Sequence, residues 1–433
     1  MSYCKVKWIL FNILSLIILL YVSFLSWQRL VLYTPLNQTD YATLYYSLTE
    51  NHAVYQRYDV MMSSQHTAIS PQFKQGINFN TPTMNILLKL WVNEHHSLSL
   101  NAFWWVFIST LGLLIAVALG LQYLNHSFVY LLPATLLCWF SWPSFNAVIL
   151  GQVTFFILPV LMLAFVLCHR EKWMWMTIVV AFLASIKLFF LLFLFFFIAK
   201  KQWRYAILFI VLFAAFFFLP LLYFKWNDYV AYFQLVHNPI DIFERSTRLE
   251  NGSLLGFITS VIVLISTPGQ AHNILPVQFI FLLVSAYIMI RWVYYYQQYI
   301  ALCTRYADEI AFSLIVMLAL FLSPLSWTYY QLFLMVPIVV MLKRERECVF
   351  PWYFYGLLLL SLCFPFLVGV PFSVLPHFAV FLSMVCWLGC GTMMMAGDVN
   401  MHSQNKIILI LMLNSMITFA LIVSNYGMTH FLS

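Results

Sequence analysis

Asp40 is the first residue whose type and position suggest chemistry. It lies about a dozen residues beyond the first apolar segment, residues 8–27, and a long polar loop follows it. A carboxylate where lipid meets water can take a proton from a hydroxyl of a membrane-borne substrate. Asp40 also precedes an amphipathic helical pattern, where an aspartate serves as an N-cap. The sequence leaves both roles open, and one carboxylate can fill both.

Lys187 is the second candidate, because it is the single charge in the apolar stretch 173–199. The loops at 169–172 and 200–204 on either side of this stretch are both basic, and basic loops mark the cytoplasmic face. A hairpin of two half-helices with its tip near Lys187 puts both loops on one face. Such a lysine would reach polar groups or a bound anion. The alternative is a lysine that snorkels from one tilted helix.

Weaker polar signals recur farther along the chain. A Gly-Gln pair opens an apolar segment at Gly151-Gln152, and the second long loop carries cations that would bind a phosphate or face lipid headgroups. As substrate-binding candidates we take Gln152, Lys187, Asn251, Ser253, Ser326, Trp327, Tyr329, Tyr330, Arg245, Arg248 and His237. Taken one by one, most of these signals are also typical of helix ends and interfacial aromatic belts.

Composition determines the class of protein that must position these residues. Hydrophobic residues make up 64% of the 433 and charged residues only 8%, which excludes a soluble globule with a polar surface. Apolar runs recur along the chain without strand-like alternation, so we predict an all-α polytopic membrane protein with residues 1–433 as one integral membrane domain. The first apolar segment has no small-residue cleavage site and is predicted to be a retained anchor.

The charges predict the topology. Residues 28–100 and 225–275 form two long polar stretches that hold seven of the 21 Lys and Arg but eight of the 14 Asp and Glu. The short loops are therefore the basic, cytoplasmic ones. The two long stretches should be external loops with interfacial helices, and the segment from Leu254 to Ser266, too short to span, an interfacial or re-entrant helix.

Four of these features, in order, resemble the pattern of glycosyltransferase family 87, whose members use polyprenyl-phosphate sugars. They are Asp40, Gly151-Gln152, Lys187 and the Ser-Pro-x-Ser-Trp motif at 323–327. The resemblance runs from Asp40 to about Pro337. The chain departs from the family in three places: Asn80-Thr81-Pro82 replaces Tyr-Pro-Pro, Phe190 replaces a proline, and Tyr329-Tyr330 replaces a histidine pair.

The resemblance implies a C-type glycosyltransferase bundle of about 11–13 transmembrane helices, with Asp40 as the general base for transfer of a hexose such as mannose to a lipid-linked or glycan acceptor. Direct attack activated by a single base would invert the anomeric centre. No acidic pair stands in either long loop, so we expect neither a metal nor another cofactor. We expect membrane lipids and no nucleic acid as partners, a bacterial inner membrane location, a cytoplasmic N-terminus and a periplasmic active site.

Two other classes also explain parts of the pattern. A transporter or flippase for a lipid-linked or anionic solute would account for an intramembrane lysine in a broken helix, but it predicts two related halves, and no convincing internal repeat is present. A polysaccharide polymerase or ligase is also polytopic with a large external loop. Its site would be expected late in the chain, whereas the signals here begin early.

Overall fold

The structure is a computed structural model, and it describes residues 3–34, 41, 45, 48, 80–92, 95–237, 251–265, 275–298, 306–345, 350, 352–363 and 375–396. Over these ranges the chain is helical, with one isolated β-bridge. The α-helices are α1 Tyr3–Tyr33, α2 Pro82–Lys89, α3 Leu98–Tyr123, α4 Leu131–Trp139, α5 Trp142–Leu150, α6 Thr154–His169, α7 Trp173–Ile186, α8 Phe193–Ala199, α9 Trp203–Phe218, α10 Trp226–His237, α11 Leu254–Ile265, α12 Leu275–Gln298, α13 Ala307–Leu322, α14 Met335–Glu345, α15 Trp352–Cys363 and α16 Leu375–Ala396. Short 3₁₀ helices cover Phe128–Tyr130, Leu188–Leu192, Leu219–Leu222 and Thr328–Leu334.

The apolar runs become helices because lipid offers no partners for backbone amides and carbonyls. In the described ranges four helices are long and apolar enough to cross a membrane, or five if the pair that bends by 75° after Trp139 counts as one span. Other apolar helices have 10–17 residues. The predicted all-α polytopic membrane class is confirmed, while the predicted number of 11–13 spans stays a prediction.

One end of the helix bundle, which we call the basal end, gathers the basic loops. His169 Nδ1 lies 2.8 Å from Glu309 Oε1, and Lys200 forms an ion pair with Asp308. Both carboxylates stand in the first turn of α13, where the helix dipole also favours negative charge. Lys343 Nζ lies 4.0 Å from the ring centroid of Tyr123. The basal end is therefore held by a hydrogen bond from the end of α6 to α13 and by an ion pair from the end of α8 to α13.

Helices α7 and α8 form the predicted hairpin. Helix α7 rises from the basal end, the backbone extends at Lys187 (φ −138°, ψ 111°), and the chain returns through a 3₁₀ turn and α8. The rings of Trp173 and Phe196 lie 6.4 Å apart, and Lys200 Nζ lies 3.8 Å from the ring centroid of Trp173. The two ends of the stretch are therefore side by side, which confirms the hairpin and places its tip at Lys187.

Chemical labelling can test whether the two loops that flank the hairpin lie on the same side of the membrane. Single cysteines at Glu171 and Lys201, both in tight turns of positive φ, should react with an impermeant thiol reagent from the same side of the membrane. A cysteine at the exposed Lys225, in the second long loop, is the control and should react from the other side. Reaction of the first two positions from opposite sides would contradict the hairpin.

Helix α11 is too short to cross a membrane. Gln297, near the end of α12, donates from Nε2 to Ala199 O at the basal end (3.4 Å), so the 24 residues of α12, about 36 Å of helix, must start near the opposite end. Helix α11 starts at that opposite end as well, beside Asn251. With 12 residues it covers only about 18 Å. This agrees with the prediction of an interfacial or re-entrant helix after Leu254.

Candidate active site

Opposite the basal end, two distant segments meet in what we call the motif cluster, formed by residues 251–253 and 323–330. Asn251 and Trp327 form the β-bridge, and Gly252 N donates to Ser326 O (2.7 Å). The Oδ1 of Asn251 accepts from Ser326 N at 2.8 Å and from Ser253 N at 3.2 Å. These bonds fix the Ser-Pro-x-Ser-Trp motif against the start of α11.

Ser253 completes this junction as the N-cap of α11. Its Oγ accepts from Gly256 N (2.9 Å) and donates to Pro324 O (3.0 Å). A hydroxyl in this position satisfies one of the free amides at a helix start. Asn251 and Ser253 are both buried, so their observed contacts shape the loop, and their predicted role in binding substrate stays a prediction.

The aromatic residues after the motif line one side of the cluster. Tyr329 and Tyr330 begin the 3₁₀ helix Thr328–Leu334, and their rings meet edge to face at 4.7 Å. The ring of Trp327 lies 6.5 Å from that of Tyr329. All three side chains are buried, so this face is an apolar wall with hydroxyl groups and an indole nitrogen.

Lys187 reaches this wall from the tip of the hairpin. Its Nζ lies 5.5 Å from the ring centroid of Tyr330 and donates a hydrogen bond to Asn80 Oδ1 at 3.2 Å. The side chain is half-buried. Among the residues that the structure describes, no carboxylate pairs with Lys187, so its positive charge is held by neutral groups alone. Such a cation is poised to receive an anion.

Gly151 and Gln152 link the cluster to the beginning of the first long loop. Gly151 ends α5 in the left-handed conformation (φ 65°), and Gln152 follows, largely buried, before α6. Asn146, also on α5, donates from Nδ2 to Thr328 Oγ1 at 3.0 Å. Tyr41, fully buried, packs directly against Gly151, and burial raises the pKa of its phenol, so that Tyr41 stays protonated.

Replacement of Gly151 by alanine should destabilise the protein. The new methyl group would lie 2.4 Å from Tyr41 Cβ, and alanine tolerates positive φ poorly, so we expect a loss of about 1–3 kcal/mol in the free energy of unfolding. The measurement is thermal unfolding of the detergent-solubilised protein. Gly356→Ala is the control, because no atom lies within 4 Å of its added methyl. Equal melting temperatures for both variants would contradict the packing.

The structure unites part of the predicted site. It brings Lys187 to Tyr330, and Asn251 to Ser326 and Trp327, across large sequence separations. Asp40, Arg245 and Arg248 lie outside the described residues, and of His237 only the backbone at the end of α10 is described. Their predicted roles stay predictions.

Sequence reasoning missed two asparagines that connect the parts. Asn80 holds Lys187, and Asn146 holds Thr328. In the sequence, Asn80 stood out only as part of the Asn-Thr-Pro stretch before an apolar segment. No sequence pattern pointed to Asn146. Both bonds join segments more than 100 positions apart in sequence, which no local pattern records.

Comparison with known proteins identifies the family. The sequence profile described as glycosyltransferase family 87 matches residues 86–324, more than half of the chain. The match includes Gly151, Lys187 and Asn251; Asp40 precedes it and Trp327 follows it. Neither the curated proteins nor the solved structures gave a match. The chain therefore belongs to glycosyltransferase family 87 and is a membrane glycosyltransferase.

Proposed function

We propose that the protein transfers a hexose, such as mannose, from a polyprenyl-phosphate donor to a hydroxyl group of a lipid-linked or glycan acceptor. The observation that carries this proposal is Lys187, a cation at the tip of an intramembrane hairpin whose described partners are neutral. A lipid phosphate would supply the missing negative charge. The apolar surroundings would suit its polyprenyl chain, and the aromatic wall of the motif cluster would suit a sugar face.

In the proposed reaction Asp40 takes the proton of the acceptor hydroxyl. The hydroxyl oxygen then forms a bond to the anomeric carbon of the sugar, and the bond from that carbon to the phosphate oxygen breaks. The donor phosphodiester carries one negative charge and the departing polyprenyl phosphate carries two. Lys187 would therefore stabilise the transition state more than the ground state, which is the requirement for catalysis.

Chain connectivity supports Asp40 as the base. Consecutive Cα atoms are about 3.8 Å apart, and Tyr41, the next residue, is packed on Gly151. Gly151 ends α5, the helix that is bonded through Asn146 to the 3₁₀ helix carrying Tyr330. A single direct attack would invert the anomeric centre. Arg245, Arg248 and His237 are further candidates for the phosphate, from the second long loop.

The proposal also covers the membrane topology and the fold type of the protein. We place the N-terminus and the basal end in the cytoplasm, because the basic short loops gather there. The motif cluster would then face the periplasm of a bacterial inner membrane. The hairpin and the short helices α10 and α11 are compatible with a C-type glycosyltransferase bundle.

The donor class can be tested with purified protein in detergent. We expect transfer of radiolabelled mannose from polyprenyl-phosphate mannose, and none from the corresponding nucleotide sugar, because the Lys187 site lies within apolar helices. Denatured protein provides the blank. Transfer from the nucleotide sugar alone would contradict the proposal.

The two motif tyrosines should orient substrate through hydrogen bonds. A tyrosine hydroxyl donates a hydrogen bond, but it does not supply the positive charge that a protonated histidine of the family pattern would supply. We therefore expect these positions to hold donor or acceptor through their hydroxyl groups and not to neutralise the phosphate.

Tyr329→Phe and Tyr330→Phe separate the hydroxyl from the ring. We expect activity to fall in at least one of these variants, and Tyr330→Phe to keep the ring face for Lys187. Initial transfer rates at saturating donor are the measurement. Full activity in both variants would mean that the pair is an interfacial aromatic pair with no polar role.

A further inference from the structure

We propose that Asn80 is a positioning residue that aims the ammonium group of Lys187 at the donor phosphate while leaving its charge free. This inference rests on the proposed function. It assigns a role in donor recognition to the short segment Asn80-Thr81, which comes just before α2 and the family match.

The segment is anchored to the hairpin tip by Thr81. Its Oγ1 donates to Ser185 O (2.7 Å) and lies 3.2 Å from Ile186 O, the last carbonyls of α7. The same oxygen accepts from Met84 N at 3.3 Å and caps α2. Carbonyls at a helix end lack partners within the helix, so Thr81 both satisfies them and holds its neighbour Asn80 beside Lys187.

The important chemical property of the Asn80 side chain is that it carries no charge. An ammonium group has three protons and accepts no hydrogen bond. Asn80 Oδ1 takes one proton, and the ring of Tyr330 covers a second side. A donor direction remains for a ligand. A carboxylate in place of the amide would accept the same bond, but it would pair with the cation and compete with the phosphate.

Two possible roles of Asn80, a structural link and a positioning residue for Lys187, therefore predict different effects of substitution. If the contact between Asn80 and Lys187 were only a structural link, aspartate would hold Lys187 as well or better, since it keeps the size and the acceptor oxygen. If Asn80 positions Lys187 for an anion, aspartate should be the most harmful of the small substitutions. Alanine, which removes the hydrogen-bond acceptor of Lys187 and adds no charge, should be milder.

The test compares Asn80→Asp and Asn80→Ala in purified protein. We expect Asn80→Asp to raise the KM for polyprenyl-phosphate mannose by about tenfold or more and to lower kcat as well, and Asn80→Ala to raise the KM by about two- to fivefold. The melting temperature of Asn80→Asp checks that this variant is folded. Asn227→Asp adds the same charge at an exposed position of α10 and should leave the KM unchanged.

Ligand binding can also be measured without turnover, with polyprenyl monophosphate, which carries no sugar. We expect it to raise the melting temperature of the wild type and of Asn227→Asp, and to have a much smaller effect on Asn80→Asp. In the Lys187→Met background, Asn80→Asp should change the donor KM by less than about twofold, because the partner of the carboxylate is gone.

The outcomes separate this inference from the proposed function. If Lys187→Met alone leaves both the donor KM and the binding of polyprenyl phosphate unchanged, the phosphate role of Lys187 is wrong, and the inference fails with it. If Lys187→Met impairs both while Asn80→Asp matches the wild type, or acts equally in the Lys187→Met background, only the positioning role of Asn80 is overturned.

Discussion

Replacement of Asp40 by asparagine is expected to lower the rate of sugar transfer by about 10²–10⁴-fold. Asparagine keeps the size of the side chain and most of its capping ability, but it cannot accept the proton of the acceptor hydroxyl. The measurement is the initial transfer rate of purified protein at saturating donor and acceptor. The KM for the donor should change little, because the proposed donor phosphate contact is made by Lys187.

Two controls separate catalysis from folding. The Asn variant should be extracted and melt like the wild type, because Tyr41 still packs on Gly151. Glu50→Gln removes another carboxylate from the same long loop and should retain activity. Near-normal transfer by a well-folded Asp40→Asn protein would remove Asp40 from the reaction.

Replacement of Lys187 by methionine is expected to have the second largest effect. Methionine keeps the length and apolar stem of the side chain but removes the charge that meets the departing phosphate. We expect kcat divided by KM for the donor to fall by about 10²–10³-fold, the range found when one stabilising donor is removed from a transition state. Binding of polyprenyl phosphate, measured by thermal stabilisation, should weaken as well.

The control for this variant is Lys201→Met. Lys201 is an exposed lysine in the basal turn after α8, so its loss should affect neither binding nor rate. Lys187→Met should also fold, because its described partners are an amide and an aromatic ring, and its loss leaves no carboxylate unpaired among the residues that the structure describes. Equal activity of both lysine variants would contradict a phosphate site at the hairpin tip.

The hairpin shows how much of this fold could be predicted from sequence. Two basic loops on either side of one apolar stretch conflict with a single crossing, and the distribution of lysine and arginine resolves the conflict. The structure confirms the result through the contact of Trp173 with Lys200. Such a prediction succeeds because lipid and the surface charge of membranes act on whole segments, so the signal is summed over many residues.

The motif cluster shows where prediction from sequence ends. Asn251, Ser326 and Trp327 were recognised as separate candidates, but their pairing depends on where the start of α11 packs against the bundle. The link from Asn80 to Lys187 likewise depends on how α2 packs against α7. Single hydrogen bonds between distant segments depend on how the helices pack. Where the helices are uniformly apolar, the sequence has no periodic pattern that identifies the packed faces. The number of complete spans was hard to predict for a related reason, since breaks such as that at Lys187 divide apolar runs into short helices.

The use of a polyprenyl-phosphate sugar with Asp40 as the base is most directly tested by transfer of radiolabelled mannose from polyprenyl-phosphate mannose. The assay uses membranes that contain the wild type or, at equal abundance, Asp40→Asn. We expect labelled product that depends on the wild-type protein and falls by about 10²-fold or more with Asp40→Asn. Equal labelling of product in both membranes, above membranes without the protein, would contradict this expectation.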